Sequence, residues 1–304
     1  MTAEHWGEIA ALGTAVLWTM TYLQFTVAVR LIGASLLNRT RLTVALVFLV
    51  LAHLIVHGTP FPLDVEAARW GWLILSGVIG FAISDALLFR SLFHLGAHRT
   101  SLLMALIPVA STLLAWGAFG ERLTTIQVVA ALVTVGGIAL VVSARPSDPE
   151  PVRGDRRTSF GILCALGAVV AQSLRYVLSK QGMSGGFPIL STNVMQILAA
   201  TVAVWAVAAL RGTIRGSLAP LRDRTAILST VGGAFTGPFL GVSFSLVALS
   251  AAPVGIASTL MALTPVFLLP ISRFVFKEHI TPRAVIGTAL AIAGVAILFL
   301  VQAP

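Results

Sequence analysis

The chain has 304 residues, of which 57% are hydrophobic and 10% charged, and its mean hydropathy is +0.96. A soluble domain is about one-quarter charged, so that class is excluded and a polytopic membrane protein is expected, with the lipid bilayer as a partner. The formal charge of +9 sits on cations in short gaps between apolar runs with no basic domain around them, which reads as membrane topology and not as nucleic-acid binding.

Taken in order, ten runs of roughly 20 apolar residues could each cross a bilayer. They lie near 7–29, 38–57, 70–91, 98–119, 124–143, 159–181, 188–210, 225–249, 254–276 and 282–302. Before the first there is no Lys or Arg to form the n-region of a secretory signal, so that run is expected to be retained. Thr14, Trp18, Thr21 and Tyr22 share neighbouring faces of it. Asn38 and Arg41 open the second run and read as a helix cap and a near-interface cation. His53/His57 and His94/His98 have the i, i+4 spacing of a metal pair, but little carboxylate support, so no metal is expected.

Asp85, in the third run, is the one carboxylate of the eleven well inside a span. A charge there costs about 2.5–3.5 kcal/mol to insert, so it faces a cavity or a partner; Arg41 and Arg99 lie at comparable depth. An ion pair and a solute or proton role both fit. The fourth run holds Ser101–Val109, with Pro108 near mid-membrane, where it removes the helical partner of the Met104 carbonyl. Residues 144–158, proline-rich and charged, form a linker. In the sixth run Gln172, Arg175, Tyr176 and Ser179 make a polar stripe at helical spacing, which cannot comfortably face lipid. The alternative is an Arg175 that snorkels to the interface. Asn193 and Gln196 open the seventh run. In the eighth, Gly233, Gly237 and Gly241 favour close packing, and Pro238 marks a hinge or break.

The ninth run repeats the fourth almost letter for letter as Ser258–Val266, with Pro265 matching Pro108. Gly7, Ala11, Leu12, Gly13, Val16 and Tyr22 recur from Gly161 to Tyr176 at an offset of 154 residues, and Glu121, Thr124 and Gly137 recur as Glu278, Thr281 and Gly294 at an offset of 157. The halves are therefore 1–143 and 159–304. Five helices in each force the second half into the membrane upside down, so the expected fold class is all-α, with ten transmembrane helices in two inverted five-helix repeats.

The repeat, the Gly-Glu-Arg-Leu-Thr turn at 120–124 with its echo Lys-Glu-His-Ile-Thr at 277–281, and the phrase from Ser84-Asp85 to Leu92 resemble the EamA-type branch of the drug/metabolite transporter superfamily across essentially the whole chain. That resemblance implies secondary transport of a small-molecule solute. Relatives export amino acids, other metabolites or drugs, so the resemblance leaves the solute open. No phosphate loop and no Gly-x-Ser-x-Gly or His-Glu-x-x-His motif occurs, which argues against ATP drive and the commonest hydrolases, and no cofactor is expected. The leading reading is a metabolite transporter exporting an amino-acid-like or anionic solute. A broad drug efflux pump and a membrane enzyme acting on a lipid phosphate are the alternatives. Candidate solute-binding residues are Trp18, Tyr22, Asp85, Gln172, Arg175 and Tyr176, and candidate kink or gating residues are Pro108, Pro238 and Pro265. The sequence leaves the oligomeric state open, a monomer included.

Of the twenty Lys and Arg residues, all but Arg69, Arg122, Arg175 and Lys180 fall at the linker face. The positive-inside rule makes that face cytoplasmic and both termini external, in a cell membrane. Relatives of this type are commonly drawn with cytoplasmic termini.

Overall fold

The computed structural model describes residues 3–143, 155–214, 223–264, 266–268, 271 and 281–300. Pro265, Glu278 and the linker from 144 to 154 lie outside them, as do the side chains of His98 and Arg99. The described residues form helices and short connections without a strand: α1 Ala3–Ile32, α2 Ala34–His57, α3 Ala67–Gly77, α4 Asp85–Met104, α5 Ile107–Phe119, α6 Thr125–Ser143, α7 Asp155–Gly182, α8 Ile189–Leu210, α9 Arg224–Ala234, α10 Val242–Ala251, α11 Val254–Met261 and α12 Pro282–Leu300. Six helical spans are long and apolar enough to cross a membrane, and four shorter apolar helices, at 107–119, 125–141, 254–268 and 282–297, fill the remaining places read from the sequence.

The third and fourth spans meet inside α4. Ser91 and Thr100 share a hydroxyl–hydroxyl hydrogen bond of 2.9 Å. Nine residues of straight helix would separate them by about 13 Å, so the chain folds back between them. The partners agree: His94 meets Phe160 edge to face near the start of α7, while the Ile107 carbonyl accepts from Ser173 farther along it.

Each span packs most closely on one from the other half. α1 runs antiparallel to the α9–α10 span, with Gly7 against Ala251, Gly13 against Phe244, Trp18 against Gly241, Thr21 against Gly237 and Phe25 against Gly233. The α3–α4 span runs antiparallel to α7 in the same manner, with Leu73 against Gly182, Gly80 against Arg175 and Leu87 against Gly167. These two crossings exchange under the repeat. Glycine serves at them because a Cβ would occupy the partner's volume, and close approach recovers dispersion that lipid cannot supply. α6 and α12 meet backbone to backbone at Gly137, Gly287 and Gly294.

Both packed spans widen into a π-helical turn at matched places, Val78–Ser84 and Phe235–Gly241, which start 157 residues apart. In the second, Pro238 has no N–H for the Ala234 carbonyl, so a regular α-helix cannot continue there. The eighth span is therefore widened by Pro238 without being broken. Loosened carbonyls in both turns are met from the preceding span. Asn38 Nδ2 donates to the Phe81 carbonyl at 3.4 Å, and Asn193 Nδ2 donates to the Pro238 and Phe239 carbonyls at 3.1 and 3.2 Å. The expectation that these asparagines cap helices is thus corrected: α2 begins at Ala34 and α8 at Ile189, and both side chains are buried.

Pro108 is also corrected. It does not kink a continuous helix; the chain turns at Ala105–Leu106, and Pro108 is the second residue of α5, where its missing N–H costs nothing. The carbonyl that reaches a facing helix belongs to the residue before each proline. Ile107 accepts from Ser173 and Thr264 from Thr19, both at 3.3 Å. The Met261 carbonyl is met locally by the Thr264 hydroxyl.

Candidate functional site

The polar stripe of the sixth span is interior to the protein. Arg175 has no exposed surface, which answers the snorkelling alternative. Its guanidinium lies 4.8 Å from the ring centroids of both Phe81 and Tyr176, and its stem fills the space left by Gly80. With the Gln172 amide oriented to suit, the Gln172 oxygen accepts from Nη2 at 3.0 Å and Nε at 3.3 Å. Two ring faces, each contributing about 2 kcal/mol to a desolvated cation, offset the insertion cost of about 2.5–3.5 kcal/mol. One nitrogen remains over: Arg175 Nη1 is buried without a hydrogen-bond partner among the described residues. An unmet donor on a buried cation is costly, and an acceptor anion is what would satisfy it.

Asp85 lies just past the π-helical turn of the third span, one turn beyond Phe81, and its Oδ2 forms an ion pair with Arg41 Nη2. Arg41 is held independently of that pair. Its Nε and Nη2 donate to Asn38 Oδ1 at 2.9 and 2.7 Å, and its guanidinium lies 5.4 Å from the centroid of Phe25 and 6.0 Å from that of Phe89. Asn38 therefore links two devices, since its oxygen orients Arg41 and its nitrogen meets Phe81. Asp85 is within electrostatic range of Arg175 as well as Arg41. The three charges sum to one excess positive charge.

Phe25 ties this cluster to α1. Trp18, Tyr22 and Phe25 follow one another at i, i+4 and i+7, with Trp18 half-buried against Gly241 and Phe25 against Gly233. Tyr22 is 39% exposed, whereas its repeat mate Tyr176 is 2% exposed. Asp85, Gln172, Arg175 and Tyr176 thus fall where α2, the third span and α7 meet, and Phe25 links that place to α1, along which Trp18 and Tyr22 lie. Pro238 lies in the π-helical turn that packs on α1 and α2, and Pro108 follows the Ala105–Leu106 turn at the start of α5.

Three polar groups that sequence reading did not connect complete the surroundings. Gln196, at the place matching Arg41, donates through Nε2 to Ser76 at 2.7 Å and to Ser179 at 2.8 Å. At the face away from the linker, Lys180 Nζ pairs with Glu121 Oε1 at 2.6 Å and donates to the Ala252 carbonyl at 3.0 Å, while Glu121 Oε2 accepts from Val254 N–H at 2.9 Å. Glu121, from the 120–124 turn, thus meets an N–H at the start of α11, a helix of the other half. His53 uses both ring nitrogens on Thr59 and Ser191, so its pairing with His57 is a ring contact, and no group of three metal-ligating side chains occurs among the described residues.

Comparison with known proteins agrees with this architecture. The chain is 28% identical over 303 residues, 94% of its length and 90% of the relative's, to a probable terminal-alkyne amino-acid exporter of Streptantibioticus cattleyicolor. A protein of known crystal structure superposes with a TM-score of 0.80 at 19% identity, covering 97% of this chain and 96% of the other, a likeness of fold alone. A profile of the EamA-like transporter family matches residues 5–143 and again 159–300. With two such matches on two inverted helical halves, the chain belongs to the EamA-like transporter family and is a multi-pass membrane transporter.

Proposed function

We propose that this transporter exports a small amino-acid-like or anionic metabolite by alternating access, with its halves rocking about a cavity lined by Trp18, Tyr22, Asp85, Gln172, Arg175 and Tyr176. The observation that carries the reading is Arg175: a buried guanidinium beside the rings of Phe81 and Tyr176, with Nη1 left unmet among the described residues. A solute carboxylate is the group that would complete it. The name of the Streptantibioticus relative supports an amino-acid-like cargo, and the same excess positive charge disfavours a cationic drug. The charge bias of the loops supports a cytoplasmic linker and external termini in the cell membrane, and Tyr22 gives the cavity a mouth toward the linker face. Pro108 and Pro238 shape that cavity at helix starts and turns, and Pro265 is assigned the same part by its repeat match.

Counterflow in proteoliposomes tests this against a panel of amino acids, carboxylates and cationic drugs. The expected result is uptake of amino acids or carboxylates that is lost in Arg175→Ala. Undiminished uptake in Arg175→Ala, or uptake of cationic drugs alone, overturns it. A reporter fused after Pro304 that reads as cytoplasmic overturns the orientation.

A further inference from the structure

We infer that Asp85 is a specificity-determining residue that accepts the solute's ammonium group through Oδ1, with Arg41 as its positioning residue. The inference rests on the proposed export of amino-acid-like solutes and deepens it. Asp85 has two oxygens and spends one. Oδ2 is on Arg41, Oδ1 has no hydrogen bond among the described residues, and the side chain keeps 17% exposure. A purely structural ion pair has no need of that arrangement, because Arg41 is already fixed by two bonds to Asn38 and by the rings of Phe25 and Phe89. Arg41 in turn holds Oδ2, which turns the free oxygen away from it.

Among the described residues, the cations that act electrostatically on Asp85 are Arg41 from α2 and Arg175 from α7. The first occupies one oxygen, and the second, Arg175, holds an unmet donor of its own at Nη1. One open donor on a cation and one open acceptor on an anion, both set around Phe81, complement a zwitterion: carboxylate toward Arg175, ammonium toward Asp85. A plain carboxylate would satisfy the first and leave the second open. The repeat sharpens the point. The place matching Asp85 is Val242 and the place matching Arg41 is Gln196, so the fold does not need an ion pair there to pack.

The test compares solutes in matched pairs. Counterflow by the wild-type protein in liposomes is measured for neutral L-amino acids, leucine among them, each beside its deamino carboxylate, 4-methylpentanoate for leucine. The expected result is a preference for the amino acid on the order of 10- to 100-fold, the value of a hydrogen bond to a charged group. Asp85→Asn removes the preference for the amino acid over its deamino partner, and Asp85→Glu restores part of it. Equal handling of both members by the wild type overturns the assignment and leaves the export reading standing, as does an unchanged preference in Asp85→Asn. Failure of the wild type to move either member of any pair overturns both. The wild-type comparison needs no variant, so it holds even if Asp85→Asn does not fold.

Discussion

Two helix crossings occupy matched places in the halves, Gly80 on Arg175 and Gly237 on Thr21, and they share a backbone while differing in charge. Around both stand a π-helical turn, an asparagine reaching its carbonyls, and a hydroxyl on the facing helix bonded to the carbonyl before a proline. At the places where one half carries Arg41, Asp85 and Arg175, the other carries Gln196, Val242 and Thr21. The difference separates what the fold requires from what has been added to it. Features present in both halves are scaffold, and features present in one are candidates for handling solute.

The sharpest way to break this comparison is to strip the added cation. Arg175→Ala should abolish counterflow of an anionic or amino-acid solute, a loss of about 100-fold or more for a buried charge-assisted contact, while Thr21→Ala at the matched place should change it less than about twofold. Comparable losses in both would show that the asymmetry has no functional meaning.

Next in size is the ion pair. Asp85→Ala leaves Arg41 buried and unpaired, and should lower unfolding stability in detergent by about 3–5 kcal/mol. The double variant Arg41→Gln, Asp85→Val, which writes the second half's residues into the first, should stay within about 1 kcal/mol of wild type, since buried pairs exchange for neutral packing at little cost. It should nevertheless lose the preference for an amino acid over its deamino carboxylate. A double variant as unstable as the single one would mean that the pair is scaffold.

A smaller effect probes the scaffold. A Cβ at Gly77 would overlap the backbone of Gln196, whereas the matched place, Ala234, already carries one. Gly77→Ala should cost about 1–3 kcal/mol by overpacking, and Ala234→Gly should cost less, as read by thermal melts. The smallest effect concerns the Lys180–Glu121 pair, whose side chains are 25% and 18% exposed. Lys180→Met should lower stability by about 1 kcal/mol or less, with screening by salt. A loss above 3 kcal/mol would show that the tie between the halves is worth far more than a partly solvated pair.

Much of this was legible in the sequence because the bilayer imposes so few solutions. Ten apolar runs, a charged linker and an ordered series of matches led to the inverted fold. A cation and a carboxylate inside spans led to Arg175 and to the Arg41–Asp85 pair. What escaped is geometry without a local signal. Val-Ile-Gly-Phe-Ala-Ile-Ser at 78–84 contains no proline, and its π-helical turn is visible only beside its mate at 235–241, where Pro238 supplies the reason. The asparagines misled because capping is the commoner use of that residue near a helix start, whereas Asn38 and Asn193 each lie four residues past the first residue of α2 and α8. Gln196 on Ser76 and Ser179, and Glu121 on Lys180 and Val254, are contacts between distant residues that no periodicity announces.

The pairing of every span with one from the opposite half has a consequence for how such an asymmetry could arise. Two identical chains assembled head to tail could make the same helix crossings, but any side chain placed in one copy would appear in the other. A guanidinium at position 175 would then come twice, and a carboxylate at 85 with it, on both sides of the axis. Joining the copies in one chain between α6 and α7 removes that constraint. A covalent join is what allows a two-fold scaffold to hold a single, one-sided binding chemistry.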